Sequence, residues 1–307
     1  MCASGRIVIS LLAVVAGAHA QSCTVGMPTM AFGNVNVLAG AAVDTTATLT
    51  VTCSGGTGTG QRICISIGAG SASDATSRQL TGPSANKARY DLYADAARTQ
   101  LWGSWQTGYD LAGVQLDVSK NSTTNVTVYG RFLGSQQTVV AGSYSSTFTA
   151  NPFIQYANKG SSSCPTGGLT ASTSTSATAT VLSSCNVSAT SINFGTHGLL
   201  SANTDAQGTL TINCTSTLPY TVSLDGGSSG ATNPTQRKIT FGTSNITYGL
   251  YRDSARSLPW GATAGVNTSS GTGNGLSQTQ TVFGRIAPQT TPKPGAYSDT
   301  IVVTVGY

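Results

Sequence analysis

The residues that could carry out catalysis are few and widely spaced. The stretch GGSSG at 226–230 satisfies the GxSxG pattern of a nucleophilic serine, but it lies between strand-like segments and not in the strand–turn–helix that such a serine requires. His197 is the only histidine after residue 20, and it has no evident aspartate partner for a catalytic triad. The ten acidic residues are scattered, which does not favour the paired carboxylates of a glycosidase. The sequence therefore predicts a protein that is not an enzyme.

Cysteines are the second group of reactive side chains. Six of them follow residue 20: Cys23, Cys53, Cys64, Cys164, Cys185 and Cys214. Their spacing contains no CxxC-like pair, and a structural zinc site of the common kind would also need more histidines. We therefore expect no metal and no cofactor. An even number of cysteines in an exported chain predicts disulfide bonds, although six cysteines alone allow many pairings.

The N-terminus indicates export. Arg6 ends a short basic start, residues 7–17 form an apolar run, and Ala18-His19-Ala20 fits the small-x-small rule for cleavage. We expect residues 1–20 to be a signal peptide and the mature chain to begin at Gln21. Neither this run nor any later one reaches the ~20 apolar residues that a transmembrane helix needs, so we expect an exported, soluble chain without membrane insertion.

Charged residues are scarce. They make up 8% of the 307 residues, against about 25% in an ordinary soluble domain. Gly, Ser, Thr and Ala replace them, a composition typical of short strands and turns. The formal net charge of +5 is spread along the chain without a Lys/Arg cluster, so nucleic acid is not an expected partner.

Three sequence blocks occur twice in the same order, and this internal repeat defines the architecture. The pairs are 23–53 with 185–214, 90–103 with 248–261, and 127–148 with 281–301. Strand signals are dense, as in the alternation of Ala47, Leu49, Val51 and Cys53, and no segment shows a sustained helical period. We therefore predict an all-β protein of two tandem Ig-like antiparallel β-sandwiches.

The repeat also selects among the disulfide pairings. Cys23 and Cys53 occupy the same places in the first copy as Cys185 and Cys214 in the second. Each domain should therefore contain one bridge between its first two strands. Cys64 and Cys164 remain as a third pair that belongs to the first domain alone.

The repeated blocks resemble the spore coat U domain family, the pilin-type domain of Csu-type (archaic) chaperone–usher pili. The resemblance is carried by the Cys-to-Cys block, the segments LYADAARTQLWG and LYRDSARSLPWG, the YGR and FGR strands, and the ending PGAYSDTIVVTVGY. It implies Ig-like domains that lack their last strand. A periplasmic chaperone first fills the groove, and the N-terminal extension of the next subunit then replaces the chaperone by strand addition. The first domain departs from the pattern, since GSYSSTFTANPFIQY is two residues longer than GAYSDTIVVTVGY.

The end of the chain fits such an incomplete domain. Ile301, Val303, Val305 and Tyr307 alternate with other residues, which predicts a half-buried strand that runs to the last residue. With the resemblance, these four residues are expected to form the edge of an acceptor groove.

The segment before Cys185 is a candidate donor strand. One face of its extended form would present Leu169, Ala171, Thr173, Thr175, Ala177, Ala179 and Val181, whereas only Gln21-Ser22 precede Cys23 in the expected mature chain. We expect residues 169–183 to complete the first domain within the same chain. The protein would then accept a strand but donate none, and would sit at the end of a fibre. The alternative is a flexible Ser/Thr/Ala linker.

Apolar loop residues of the first domain are candidates for contact with a target surface. After the shared WG, only the first copy contains Trp105, Tyr109, Leu111 and Val114. A second set comprises Val37 and Leu38 within residues 35–43, and Val139 and Val140 after Thr138. Exposed apolar side chains in such numbers indicate binding. The alternative is that they cover the domain's own sandwich.

The sequence thus predicts an exported pilus tip adhesin that mediates surface attachment and biofilm formation. Its parts would be a signal peptide (1–20), an adhesin domain (21–168), a linker or donor strand (169–184) and an incomplete pilin domain (185–307). The expected partners are a periplasmic chaperone, an outer-membrane usher, the next pilus subunit and an abiotic hydrophobic or host surface. The alternatives are a structural coat or surface-layer protein and a secreted glycan-binding module.

Overall fold

The computed structural model describes residues 22–55, 60–72, 77–105, 112–149, 154–158, 164 and 171–307. Within these ranges the chain forms β-strands and two short 3-10 turns, Val37–Ala39 and Pro83–Ala85. The buried side chains fall into two separate cores, one from residues 23–181 and the other from residues 200–286. The parts of the chain around them are called the N-terminal domain (22–181) and the C-terminal domain (185–307). The prediction of an all-β protein with two tandem sandwiches is confirmed.

The N-terminal domain contains two sheets. Its strands are β1 (Ser22–Gly26), β2 (Met30–Val35), β3 (Val43–Ser54), β4 (Gln61–Ile67), β5 (Arg78–Thr81), β6 (Lys87–Tyr93), β7 (Val114–Val118), β8 (Thr123–Phe132), β9 (Gly142–Phe148), β10 (Ile154–Asn158), β11 (Ala171–Ser172) and β12 (Thr175–Val181). The strand orders are β1-β3-β8-β6-β5-β9-β12-β2 and β11-β10-β4-β7. Every neighbouring pair is antiparallel except β12 with β2, which is parallel.

The C-terminal domain repeats this framework with fewer strands. They are β13 (Cys185–Ala189), β14 (Thr204–Cys214), β15 (Pro219–Leu224), β16 (Arg237–Phe241), β17 (Ser244–Tyr251), β18 (Ser269–Thr272), β19 (Gln278–Ile286) and β20 (Val303–Gly306). The strand orders are β13-β14-β19-β17-β16 and β18-β15-β20. They match β1-β3-β8-β6-β5 and β7-β4-β10 of the N-terminal domain. Among residues 185–307, strands equivalent to β2, β9, β11 and β12 are not formed.

The strands follow from the alternation of side chains in the sequence. In β3, Leu49 and Val51 are fully buried, whereas Thr48 before them and Thr52 after them are exposed. Successive side chains of a strand point to opposite faces, so apolar residues at every second position cover one face of the sheet. The β-branched threonines on the other face favour the extended backbone.

Both domains contain a buried arginine that joins the two sheets. Arg78 donates hydrogen bonds to the backbone oxygens of Ile67, Gly68 and Trp102, and the indole of Trp102 donates to Ile65. The C-terminal domain repeats these bonds with Arg237, Leu224, Asp225, Trp260 and Val222. Both arginines and both tryptophans are at most 1% exposed. The repeated LY…WG block of the sequence therefore serves to connect the layers.

The same ion-pair arrangement also occurs once in each domain. Asp44 pairs with Arg98 and Arg131, and Asp205 pairs with Arg256 and Arg285. Hydrogen bonds from Arg131 and Arg285 lower the pKa of the two carboxyl groups. Because the pairs are partly exposed, each contributes modestly to stability. Their duplication shows that the two domains have the same strand register.

Three disulfide bonds join Cys23 to Cys53, Cys64 to Cys164, and Cys185 to Cys214. These are the pairs that the internal repeat predicts. The first and third connect directly opposed residues of β1 and β3, and of β13 and β14. A bridge that closes a loop of about 30 residues stabilises a domain by roughly 3 kcal/mol in the chain-entropy estimate.

The described residues contain neither a membrane-spanning helix nor a cluster of metal-binding side chains. No helix there has the length and apolar character to span a membrane. No group of three or more His, Cys, Asp or Glu side chains within those ranges is placed to hold a metal ion.

The buried arginine gives a stability prediction. We expect Arg78→Met to destabilise the N-terminal domain by about 3 kcal/mol, because buried backbone oxygens lose their donor. Arg62→Ala, which removes an exposed ion pair with Asp117, is the control and should change little. Chemical denaturation of both variants measures the difference. Equal midpoints for the two variants would contradict the role assigned to Arg78.

Candidate strand-acceptor site

Strand β12 fills a gap between β9 and β2 of the N-terminal domain. It pairs antiparallel with β9 from Thr175 opposite Phe148 to Val181 opposite Gly142. On its other side it pairs in parallel with β2, where Ala177 lies opposite Met30 and Val181 opposite Val35. The backbone groups of β9 and β2 are therefore satisfied by a segment that comes from the far end of the domain.

The side chains of β12 alternate between the core and the surface. Ala177, Ala179 and Val181 are 0%, 5% and 2% exposed and belong to the N-terminal core, whereas Thr180 is exposed. Small residues fit here because Tyr144 and Phe148 of β9, each 1% exposed, already fill the adjacent space. The alternation thus covers the core with little side-chain volume.

The segment that leads into β12 covers a second edge. In β11, Ser172 pairs with Gln155 and Ala171 with Tyr156 of β10. Residues 171–181 therefore complete both sheets, first at β10 and then at β9. Thr173 lies between the two strands and is half-buried. Leu169, also predicted to belong to the donor segment, lies outside the described residues.

The matching place in the C-terminal domain has no strand in it. Residues 295–301 align with β9, and Ser298 bridges to Thr240 as Ser145 pairs with Thr81. On the opposite side of Ser298, nothing in the described part of the chain pairs with this segment. Residues 192–197, which align with β2, form no strand either.

Apolar side chains around this place are more exposed than their N-terminal equivalents. Leu199 is 77% exposed, whereas the equivalent Val37 is 4% exposed. Ile192 and Phe194 are half-buried, whereas the equivalent Met30 and Phe32 are 1% and 5% exposed. Tyr297 and Ile301 are also half-buried, whereas the equivalent Tyr144 and Phe148 are each 1% exposed. We call the space that these five residues line the open groove.

The last strand is shorter than the sequence predicts. β20 comprises Val303–Gly306 and pairs with β15, with Val305 opposite Val222. Ile301 precedes it and forms no strand. The carboxylate of Asp225 accepts a hydrogen bond from the backbone N–H of Val302, and this bond fixes the backbone before β20 begins. Val303 and Val305 are half-buried, and Tyr307 is 60% exposed. The side of β20 away from β15 carries no partner strand within residues 171–307.

A carboxylate lies in the edge segment of the open groove. Asp299 occupies the position of Ser146, which faces the core in the N-terminal domain. It accepts hydrogen bonds from the hydroxyl of Tyr248 at 2.7 Å, from the backbone N–H of Ser228 at 2.7 Å and from that of Thr300 at 2.8 Å. Burial raises the pKa of Tyr248, and the bond to Asp299 raises it further. Tyr248 therefore stays protonated and donates to Asp299.

The junction between the domains is short and hydrogen-bonded. Residues 182–184 connect β12 to β13, and the backbone N–H of Leu182 donates to Val35. Thr215 is fully buried, and its hydroxyl contacts the backbone oxygens of Leu182 and Ser184 and accepts the backbone N–H of Ser184. The backbone N–H of Thr215 donates to the oxygen of Ser184. A second contact is the bridge between Val140 and Ser216.

The second set of residues that the sequence predicts to contact a target surface is not exposed, so that prediction is wrong. Val37, Leu38 and Val139 are 4%, 8% and 4% exposed. The 3-10 turn Val37–Ala39 folds its apolar side chains inward, and Val140 is half-buried where it bridges to Ser216 of the C-terminal domain. Side chains buried in a core or held at a domain contact are not available to a target surface.

The first predicted set is described only in part. Trp105 is half-buried, and its indole lies over Gly113. Val114, in β7, is half-buried and packs against the N-terminal core. Tyr109 and Leu111 lie outside the described residues. The motif at 226–230 is a turn whose Ser228 binds Asp299, so it does not form a strand–turn–helix.

The presence of two matched sandwiches agrees with the sequence comparison. A family model described as Spore Coat Protein U domain matches residues 9–151 and again 171–304. The chain belongs to this family. No curated protein matches the chain in sequence.

Two solved structures resemble this spore coat U domain chain, and the first of them shows the same fold. One is the crystal structure of the CsuC-CsuE chaperone-tip adhesion subunit pre-assembly complex from archaic chaperone-usher Csu pili of Acinetobacter baumannii. The match has 17% identity and a TM-score of 0.55, and covers 93% of this chain and 100% of that one. Another is the CupB6 tip adhesin from Pseudomonas aeruginosa, with 9% identity, a TM-score of 0.40, and coverage of 92% and 93%.

Two parts of the open groove were not predicted from the sequence. They are the apolar residues on one side of it and the carboxylate of Asp299 on the other side. Ile192, Phe194 and Leu199 could have been found by aligning residues 185–214 with residues 23–53 and asking which apolar positions in the first copy face β12. Asp299 could have been found as the acidic residue that replaces Ser146. Both signals need the strand register, which the sequence alone does not supply.

Strand insertion gives a second prediction. We expect Ala177→Asp to destabilise the N-terminal domain by roughly 3 kcal/mol or more, because the new carboxylate would be buried in the core without a partner. Thr180→Asp introduces the same charge on the exposed face of β12 and is the matched control. Thermal unfolding of the two variants measures the difference. If both variants unfold like the parent chain, residues 175–181 act as a linker in solution.

Proposed function

We propose that the protein is the adhesive tip subunit of a chaperone–usher fibre. In this proposal the N-terminal domain contacts the target, and the C-terminal domain accepts a strand from the next subunit. The observation that carries the proposal is that the same strand position is filled by β12 in one domain and is open in the other.

The open groove has the properties of a strand-binding site. It combines half-buried and exposed apolar side chains with an unpaired backbone edge at 295–301 and at β20. An added strand would satisfy the backbone groups and cover the apolar residues at once, which is how strand addition gains affinity. Left uncovered, such an edge promotes aggregation. We therefore propose a periplasmic chaperone as its first occupant.

The N-terminal domain offers no such groove, because its own chain fills it. A domain of this kind can face outward without a further subunit. We propose that the signal peptide is cleaved after Ala20, that an outer-membrane usher assembles the fibre, and that the protein acts at the cell surface in attachment and biofilm formation, without catalysis. The Acinetobacter baumannii complex of a chaperone with a tip adhesion subunit supports this assignment by likeness of fold.

For the contact surface we propose the loop that begins at Trp105. It follows the inter-sheet tryptophan Trp102, so the core fixes its first residue, and it contains Tyr109 and Leu111. The corresponding loop of the C-terminal domain, 262–267, has Val266 as its one large apolar residue. The aromatic side chains thus belong to the domain that we place outermost.

Chaperone dependence tests the assignment of the two domains. We expect residues 22–183, produced in an oxidising compartment, to fold without a chaperone, because β12 completes their core. The chain that extends to Tyr307 should give a much higher soluble yield when a pilus chaperone is co-expressed than when it is produced alone. Soluble yield and gel filtration measure both. A monomeric, stable full chain without a chaperone would favour a free secreted module.

Adhesion assays test the contact loop. We expect Trp105→Ser combined with Tyr109→Ser to reduce the binding of fibres to a hydrophobic surface at least several-fold, because apolar contact area is lost. Val266→Ser, an exposed apolar residue after the WG of the other domain, should leave binding unchanged. Unfolding midpoints of both variants check that the fold is intact. Equal adhesion of all three proteins would remove this loop from the proposal.

The position in the fibre is tested by immunogold microscopy with antibody to residues 22–149. We expect single particles at the ends of thin fibres. Label along the fibre or over a continuous layer would indicate a repeating structural subunit.

A further inference from the structure

The N-terminal domain shows how a strand fits this fold, and the C-terminal domain differs from it at one position of the edge segment. Residues 295–301 align with β9, so a strand added in the register of β12 can be placed residue by residue. Its residue at the position of Ala179 would lie opposite Tyr297, and its residue at the position of Ala177 would lie opposite Asp299. In the N-terminal domain Ala177 lies opposite Ser146, and both are buried. The aligned position of the open groove therefore has a carboxylate where the filled groove has a small hydroxyl side chain.

Directly opposed side chains of an antiparallel pair have Cβ atoms about 5 Å apart and interact. The added residue would thus be a neighbour of Asp299. Oδ1 of Asp299 already accepts two backbone N–H groups, whereas Oδ2 accepts only the hydroxyl of Tyr248 among the bonds formed in the described chain. A carboxylate oxygen has room for a second donor. Once an added strand excludes water, that donor must come from the strand itself.

We propose that Asp299 is a specificity-determining residue of the open groove, which selects a donor strand with Ser or Thr opposite it. This inference rests on the proposed strand acceptance and names the partner's chemistry. The partner is an extended segment as long as residues 171–181, with small or branched apolar side chains at the inward positions and a hydroxyl at the position of Ala177. Its first residues pair with the free side of β20, as β11 pairs with β10.

The choice of a hydroxyl follows from the cost of the alternatives. A bulky apolar residue would remove water from the carboxylate without replacing its hydrogen bond. An acidic residue would place a like charge beside it. The chain's own segment has Ala at this position, so the groove would bind a copy of residues 171–181 less well than a segment with Ser there.

The test appends a donor to the full mature chain after Tyr307. The extension consists of a flexible linker as long as residues 159–170, followed by a copy of residues 171–181. In four versions the residue that copies Ala177 is Ala, Ser, Leu or Asp. A control version inserts one residue before the copy of Thr175, which turns the inward side chains outward. Thermal unfolding of the C-terminal domain and hydrogen exchange of residues 295–301 are measured.

We expect the Ala version to raise the unfolding midpoint by roughly 10 °C over the chain without an extension. The Ser version should add about 4 °C more, and the Leu and Asp versions should fall below Ala. In an Asp299→Ser background the advantage of Ser over Leu should disappear, as a coupled pair requires. The comparison is made within each background, so a general effect of Asp299→Ser on the fold cancels.

The outcomes separate the two proposals. If no extension stabilises the C-terminal domain or protects residues 295–301, strand acceptance itself is wrong. If all in-register versions stabilise it equally, or if the Ser advantage persists without Asp299, strand acceptance stands and the selectivity of Asp299 is overturned.

Discussion

Every sheet in this protein must satisfy the backbone hydrogen bonds of its edge and cover the apolar face beneath that edge. In the N-terminal domain β12 meets both needs, since it pairs on two sides and adds Ala177, Ala179 and Val181 to the core. In the C-terminal domain the edge at 295–301 lacks such a strand within the described chain. The higher exposure of Leu199, Ile192 and Phe194 follows from that one difference.

The rest of the framework is the same in both domains, and this makes the comparison between them informative. Each has the buried arginine that ties the tryptophan to the opposite sheet, the aspartate between two arginines, and the disulfide that joins its first strand to the long strand paired with it. These interactions hold the sandwich together without the last strand. A groove can therefore be open in a domain whose sheets are otherwise formed.

Much of this could be predicted from the sequence because the repeat acts as an internal alignment. It gave the two domains and the disulfide pairs, and the alternation from Ala171 to Val181 indicated a strand. The prediction failed for Val37, Leu38 and Val139, because apolar residues between strands can turn inward as readily as outward. Ile301 was placed in a strand because alternation does not show where Asp225 fixes the backbone. Asp299 gained meaning only from the register of β9 with β12.

The junction at residues 182–184 determines how the molecule would respond to tension. A pull on the C-terminal domain is transmitted through these residues to the C-terminal end of β12. The hydrogen bonds of Thr215 to Leu182 and Ser184 limit how far the junction can extend. Because β12 pairs with β9 from Thr175 to Val181 and with β2 from Ala177 to Val181, a force along its axis would strain the hydrogen bonds on both sides together. Bonds sheared as a group resist much more than bonds peeled one at a time. The strand that completes the N-terminal domain is thus also its mechanical anchor.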